Sequence, residues 1–187
     1  MHISRILLWV LIFSLVASGL IGIAVFLFAD FNPREMKILF STLDVGACSL
    51  AGLCCATIWE TRYKWFSIVG ISIVTITMGL LLYTIWWWER LENFNMVLTF
   101  VILSATCAHI ALTLLTRHPT RLVSWVLGLT VFFIALLGLM LIVLVWYDDT
   151  ISEAFYRLLG VCGILDVLGT IISPIISRAQ RLEDVME

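Results

Sequence analysis

Six continuous apolar runs restrict the folds that this chain can adopt. Each run is about 20 residues or longer, the length that a helix needs to cross a hydrocarbon core of about 30 Å. Membrane-spanning strands are disfavoured, because they show alternating polarity rather than continuous apolar runs. The sequence therefore predicts an all-α integral membrane protein with six transmembrane helices in a single domain, residues 1–187. The predicted helices are residues 6–28, 37–58, 65–88, 96–116, 122–147 and 154–177.

Composition agrees with a membrane protein and excludes one class of partner. Hydrophobic residues make up 62% of the chain and charged residues 13%, which lies outside the range of soluble domains. The formal net charge is −2, and no basic face is available to neutralise phosphates, so a nucleic-acid partner is not expected. The first apolar run is too long for a typical signal peptide and lacks a convincing cleavage site, so we interpret it as a helix.

Catalytic motifs are missing from the sequence. It contains no glycine-rich phosphate loop, no serine-nucleophile elbow and no zinc-type His-Glu motif. The five cysteines include no C-x-x-C pair and are interpreted as small packing residues, with acylation of Cys54 or Cys55 as an alternative. We therefore expect no enzymatic activity, no catalytic residues, no cofactor and no metal site.

The charges between the helices predict the orientation of the chain. Lys and Arg prefer the cytoplasmic side of a membrane. With the N terminus inside, seven Lys or Arg residues fall on the cytoplasmic side and four on the other. The sequence thus predicts a multi-pass protein of a bacterial inner membrane with both termini in the cytoplasm.

A repeated tripeptide suggests an internal repeat. Leu43-Asp44-Val45 lies in the second helix and Leu165-Asp166-Val167 in the sixth, with Leu103-Ser104-Ala105 about halfway between them. Each copy would be one helical hairpin, in which a bulky odd-numbered helix is followed by an even-numbered helix. We expect three such hairpins, repeated about an axis along the membrane normal.

Small residues mark the faces on which the even-numbered helices should pack. In lipid, helices associate where small side chains let their backbones approach. Gly52 lies on this face of the second helix, and Gly163, Gly169 and Thr170 lie on that of the sixth. We therefore expect the even-numbered helices inside and the odd-numbered ones, rich in Leu, Ile, Val and Phe, toward lipid.

Three polar residues should form a layer within the membrane. At about 1.5 Å per residue, Asp44, Ser104 and Asp166 lie roughly 10, 13 and 16 Å from the outer ends of their helices. An ionised Asp at the centre of a membrane helix costs about 2.5–3.5 kcal/mol. The favoured interpretation is protonated carboxyl groups that hydrogen-bond between helices. A proton or cation path and the capture of a lipid or ligand are the alternatives.

His109 is the histidine within a predicted span. It should lie about 8 Å deeper than Ser104, where it could relay protons below the aspartates. A haem iron could also use it, but the other two histidines, His2 and His118, fall at the membrane boundary. A hydrogen-bonded core histidine is the favoured interpretation.

These features leave two classes of function. The favoured one is an accessory or scaffold subunit of a larger membrane complex, in contact with lipids and with a membrane protein partner or further copies of itself. The alternative is a small proton- or cation-conducting channel or transporter that uses Asp44 and Asp166, with or without His109.

Overall fold

Six α-helices account for nearly all of the described chain. A computed structural model describes the backbone of residues 2–28, 32–61, 63–87, 94–115, 121–147 and 151–186, and the side chains of residues 9, 12–24, 32, 34–61, 63–87, 94–115, 124–147 and 151–172. These residues form no strand. The helices are α1 (His2–Phe28), α2 (Pro33–Ala56), α3 (Lys64–Trp86), α4 (Phe94–Leu115), α5 (Arg121–Tyr147) and α6 (Glu153–Met186). The all-α architecture with six helices is confirmed.

Five of the helices are long and apolar enough to cross a membrane. Their spans are Arg34–Ala56, Lys64–Trp86, Phe94–Leu115, Ser124–Tyr147 and Glu153–Ile172. In α1 the part with described side chains, Ile12–Ala24, is apolar but shorter. The chain is thus a helical, multi-pass membrane protein.

Three helix ends differ from the sequence prediction by four or more residues. α1 begins at His2 rather than at residue 6. α2 begins at Pro33 rather than at residue 37, because proline suits the first helical position and the Glu35 carboxylate accepts the backbone N–H of Asn32 at 3.1 Å. α6 continues to Met186 rather than ending at residue 177. The polar segment after residue 177 is rich in Arg, Glu, Gln and Leu, which favour helix even outside an apolar run.

The chain divides into two compact units, Met1–Ala108 and His109–Glu187. In the first unit α1 packs on α2, and α2 packs on α3. In the second unit α5 packs on α6. α4 contributes its first part to one unit and its last part to the other. Whether the whole chain forms the single domain expected from the sequence stays a prediction.

The contact between α1 and α2 is made by small polar side chains. The hydroxyls of Ser14 and Ser49 lie 3.0 Å apart. Ser18 is buried and donates to the carbonyl of Thr42. A Cβ at Gly46 would lie 2.9 Å from the Ser18 hydroxyl oxygen, so the glycine lets the two backbones approach.

The contact between α2 and α3 follows the same rule. The buried Ser67 hydroxyl donates to the carbonyl of Cys55 at 2.7 Å. A Cβ at Gly70 would lie 2.8 Å from the Cys55 sulfur. Small and hydroxyl-bearing residues thus lie where the described parts of these three helices approach one another.

An odd-numbered helix also has an inner face. The buried residues of α3 follow one another at steps of three, four, three and seven, which places them on one side of the helix. Two of them satisfy their hydroxyls within the helix, Thr77 on the Ile73 carbonyl at 2.8 Å and Thr84 on the Leu80 carbonyl at 2.7 Å. The expectation that odd-numbered helices face lipid therefore does not describe this side of α3. The three-hairpin repeat stays a prediction. The buried residues are Ser67, Gly70, Val74, Thr77 and Thr84.

Candidate functional site

Asp44 is a buried carboxyl group halfway along α2. Its relative exposure is 7%. Oδ1 accepts the S–H of Cys48, one turn later in the helix, at a distance of 3.3 Å. Oδ2 is buried and has no hydrogen-bond partner among the described residues. The carboxyl group thus has capacity for one more donor.

Asp44 lines a cavity of about 440 Å³ between helices of the first unit. Its walls come from α2, α3 and the first part of α4, and they are mainly aliphatic. Two hydroxyls in the walls already donate to backbone carbonyls. Thr77 shares its hydrogen between Ile73 at 2.8 Å and Phe100 at 3.0 Å, and Ser104 donates to Val101 at 2.9 Å. Neither hydroxyl therefore donates to Asp44, whose second oxygen is the unsatisfied polar atom of this wall.

A second polar cluster lies within the second unit. His109 Nε2 is 3.0 Å from the Thr170 hydroxyl oxygen, and this hydroxyl donates to Asp166 Oδ1 over a longer distance of 3.4 Å. His109 Nδ1 lies 3.7 Å from Asp166 Oδ2. The Asp166 side chain is 8% exposed and that of His109 is 34% exposed. A nearly buried carboxyl group is thus joined to a partly accessible imidazole.

The hydrogen-bond directions limit the protonation states of this cluster. When Asp166 is a carboxylate it accepts the Thr170 hydroxyl, so His109 Nε2 then carries a hydrogen and donates to Thr170. Nδ1 then faces the carboxyl group. One further proton can reside on Nδ1, which gives an imidazolium beside a carboxylate, or on Asp166, which gives a neutral pair. His109 Nδ1 and Asp166 are thus alternative sites for the same proton.

The structure sorts the predicted polar residues into two pairs. Asp44 and Ser104 line the same cavity in the first unit. Asp166 and His109 contact each other in the second unit. Whether Asp44, Ser104 and Asp166 form one layer stays a prediction. Thr170 was read from the sequence only as a small packing residue, although its spacing of four from Asp166 puts both on one helical face.

The three glycines predicted to lie at helix contacts have different surroundings. Gly52 is buried in α2. A Cβ at Gly169 would lie 2.5 Å from the Thr130 hydroxyl oxygen, so this glycine is required where α6 approaches α5. A Cβ at Gly163 would meet no described atom within 4 Å. A helix contact at Gly163 therefore needs a partner beyond the described residues.

Cysteines and metal ligands add no further cluster to the described part of the chain. No three His, Cys, Asp or Glu side chains in it come together as a metal site would require. The five cysteines are free thiols, of which Cys48, Cys55 and Cys162 are buried. Comparison of the chain with protein-family models, with curated proteins and with solved structures gives no match.

Proposed function

We propose that the protein is a non-enzymatic accessory or scaffold subunit of a larger membrane complex. The observation that supports this most is the uncovered face of α6. Only 11% of its span Glu153–Ile172 is buried, the lowest share among the five spans. Cβ atoms at Gly160 and Gly163 on this helix would meet no described atom within 4 Å.

Two glycines close together on one helix face are typical of a contact with another helix, because glycine by itself weakens a helix. It costs about 1 kcal/mol relative to Ala in a helix interior, and it offers lipid chains little contact area. Two glycines three residues apart lie on one side of a helix and let another helix approach closely. Gly160 and Gly163 therefore fit a helix of a partner subunit. By the same proposal the chain resides in a bacterial inner membrane with both termini in the cytoplasm.

Purification from native membranes tests the proposal. The wild-type chain, carrying a tag, should copurify in fixed stoichiometry with a larger membrane protein. Gly163→Leu should release that protein, because leucine fills the gap between the two helices. Gly128→Leu is the matched control. A Cβ at Gly128 on α5 also meets no described atom within 4 Å and this residue is exposed, but no second glycine lies one turn away from it.

The control variant should retain the partner. A wild-type chain that purifies alone as a monomer contradicts the proposal. Equal loss of the partner in both variants contradicts the assignment of the α6 face.

The His109 and Asp166 pair supports a second candidate function, a proton or cation path. Ionisable residues in membrane spans mark such paths by default, and the two side chains of this pair are alternative sites for the same proton. Asp44 in the first unit would be the other group on the path. Proton flux into liposomes containing the purified chain, abolished by Asp166→Asn and by Asp44→Asn in folded protein, would establish this function.

A further inference from the structure

We propose that the cavity beside Asp44 binds an alkylammonium compound, with its ammonium group on the Asp44 carboxylate and its hydrocarbon chain along the aliphatic walls. The cavity has a volume of about 440 Å³, within the range of about 300–1,000 Å³ typical of small-molecule sites. This site goes beyond the proposed function, since a subunit of a complex needs no ligand there.

The cavity walls select a mostly apolar ligand. Leu43, Leu81, Ile85 and Val101 contribute aliphatic surface, and the hydroxyl hydrogens of the wall are committed to backbone carbonyls. A ligand with several polar groups would lose its hydration there without compensation. A hydrocarbon chain pays no such desolvation penalty on moving from lipid into the cavity, because the cavity walls are as apolar as lipid.

The carboxyl group of Asp44 selects the polar end of the ligand. It is 93% buried, and one of its oxygens lacks a donor among the described residues. The Cys48 thiol on the other oxygen is a weak donor. No Lys, Arg or His is among the described residues that line the cavity. A donor that also carries positive charge therefore completes the hydrogen bonding and neutralises a carboxylate that is otherwise costly in the membrane.

Asp44 can reach such a donor without a change in the helix. The χ2 torsion of an aspartate is broad, so the carboxylate can turn toward an ammonium group that enters the cavity. The ammonium could belong to a free amphiphilic amine or to the headgroup of an aminolipid. The chemistry recognised in both cases is a primary ammonium group on hydrocarbon.

Photo-crosslinking in nanodiscs of phosphatidylcholine tests the site. A dodecylamine that carries a diazirine in its chain should label peptides containing Leu81 or Ala105, two cavity-lining residues, in a saturable manner. Asp44→Asn should weaken saturation by about 10- to 100-fold, the usual effect of losing a hydrogen bond to a charged group. Asp166→Asn is the matched control, because it removes a buried carboxyl group of the second unit and should leave labelling unchanged.

Competition separates the sources of the ammonium group and controls for simple partition into lipid. Excess dodecylamine should remove the labelling, and dodecanol, with the same chain and no charge, should not. If phosphatidylethanolamine in the nanodisc also removes it, the natural source is a lipid headgroup. If only the free amine does, the source is a small amphiphile.

A cavity-filling variant keeps the proposal testable even if Asp44→Asn does not fold. Ala105→Phe leaves Asp44 in place and fills the cavity, so labelling at Leu81 should fall at least about tenfold. Labelling that does not saturate, labelling unchanged in folded Asp44→Asn or in Ala105→Phe, or equal competition by dodecanol overturns the proposal.

Discussion

Two aspartates with similar sequence contexts have different partners in the structure. The Asp166 carboxyl group lies beside the His109 imidazole and accepts a hydrogen bond from the Thr170 hydroxyl. One carboxyl oxygen of Asp44 accepts a hydrogen bond from the Cys48 thiol, and the other has no hydrogen-bond partner among the described residues. The tripeptide Leu-Asp-Val, common to both, thus predicts a buried carboxyl group but not what it contacts. The partners depend on the neighbouring helix, which the tripeptide does not specify.

Substitution of Asp166 tests whether its hydrogen bonds or its charge matter for stability. Asp166→Asn retains an acceptor for the Thr170 hydroxyl, so the free energy of unfolding should change by less than about 1 kcal/mol. Asp166→Leu leaves His109 and Thr170 without this partner and should cost about 1–3 kcal/mol. Thermal unfolding in one detergent measures both changes. Equal losses for Asn and Leu would show that ionisation, rather than hydrogen bonding, stabilises the cluster.

The contact between α5 and α6 shows how one glycine sets the distance between two helices. Thr130 is buried on α5, and its hydroxyl donates to the Val126 carbonyl at 2.9 Å. Its side chain occupies the space that a Cβ at Gly169 would need. Gly163, six residues earlier on α6, has open space at the same position. The two glycines therefore predict opposite responses to a larger residue.

Alanine at Gly169 should destabilise the second unit, and alanine at Gly163 should not. Gly169→Ala brings a methyl group into Thr130 and should cost about 1–3 kcal/mol, as overpacking does. Gly163→Ala should be neutral or slightly stabilising, because Ala favours helix. Thermal unfolding of the purified variants measures the difference.

A second substitution in the same contact serves as the control. Thr130→Ala removes the hydroxyl and methyl groups nearest to the added Cβ, so Thr130→Ala combined with Gly169→Ala should recover part of the lost stability. No recovery, or equal effects of Gly169→Ala and Gly163→Ala, would contradict the described contact.

The helices were predictable from the sequence to within two residues, except at the starts of α1 and α2 and at the end of α6. Continuous apolar runs set the spans, since any break in a span would expose backbone groups to lipid. The start of α2 and the end of α6 lie in polar segments, where hydropathy gives no signal and capping and helix propensity decide. The spacing of Ser67, Gly70, Val74 and Thr77 was enough to predict the inner face of α3. This face was not predicted, because the helix is apolar on all sides and was therefore expected to face lipid.

The candidate sites were predictable in part. A carboxyl group in an apolar run is conspicuous because an ionised carboxylate is energetically unfavourable in a membrane span. Asp44 and Asp166 were identified in this way. The contact between His109 and Asp166 joins α4 to α6, and no periodicity within one helix reports which residues of another helix face it. The free oxygen of Asp44 was likewise not readable, because it depends on where the neighbouring hydroxyls donate.

At the scale of the whole molecule, the distribution of Lys and Arg predicts which loops face outward. A membrane-impermeant maleimide applied to intact cells should label Leu91→Cys and Thr150→Cys, and should not label Pro119→Cys until the cells are opened. The wild-type chain is the control, since its five cysteines lie within helices and should stay unlabelled. Labelling of Pro119→Cys from outside would reverse the predicted orientation.

The unbroken course of α6 has a mechanical consequence. Its 34 residues extend over about 51 Å at the rise of an α-helix, whereas the hydrocarbon core is about 30 Å thick. About 20 Å of the same helix therefore exceeds what the hydrocarbon core can hold. Pro174 lies where this excess begins, and a proline inside a helix removes one backbone hydrogen bond and bends the helix. The final turns of α6 can therefore change their angle to the span without a change within the span itself.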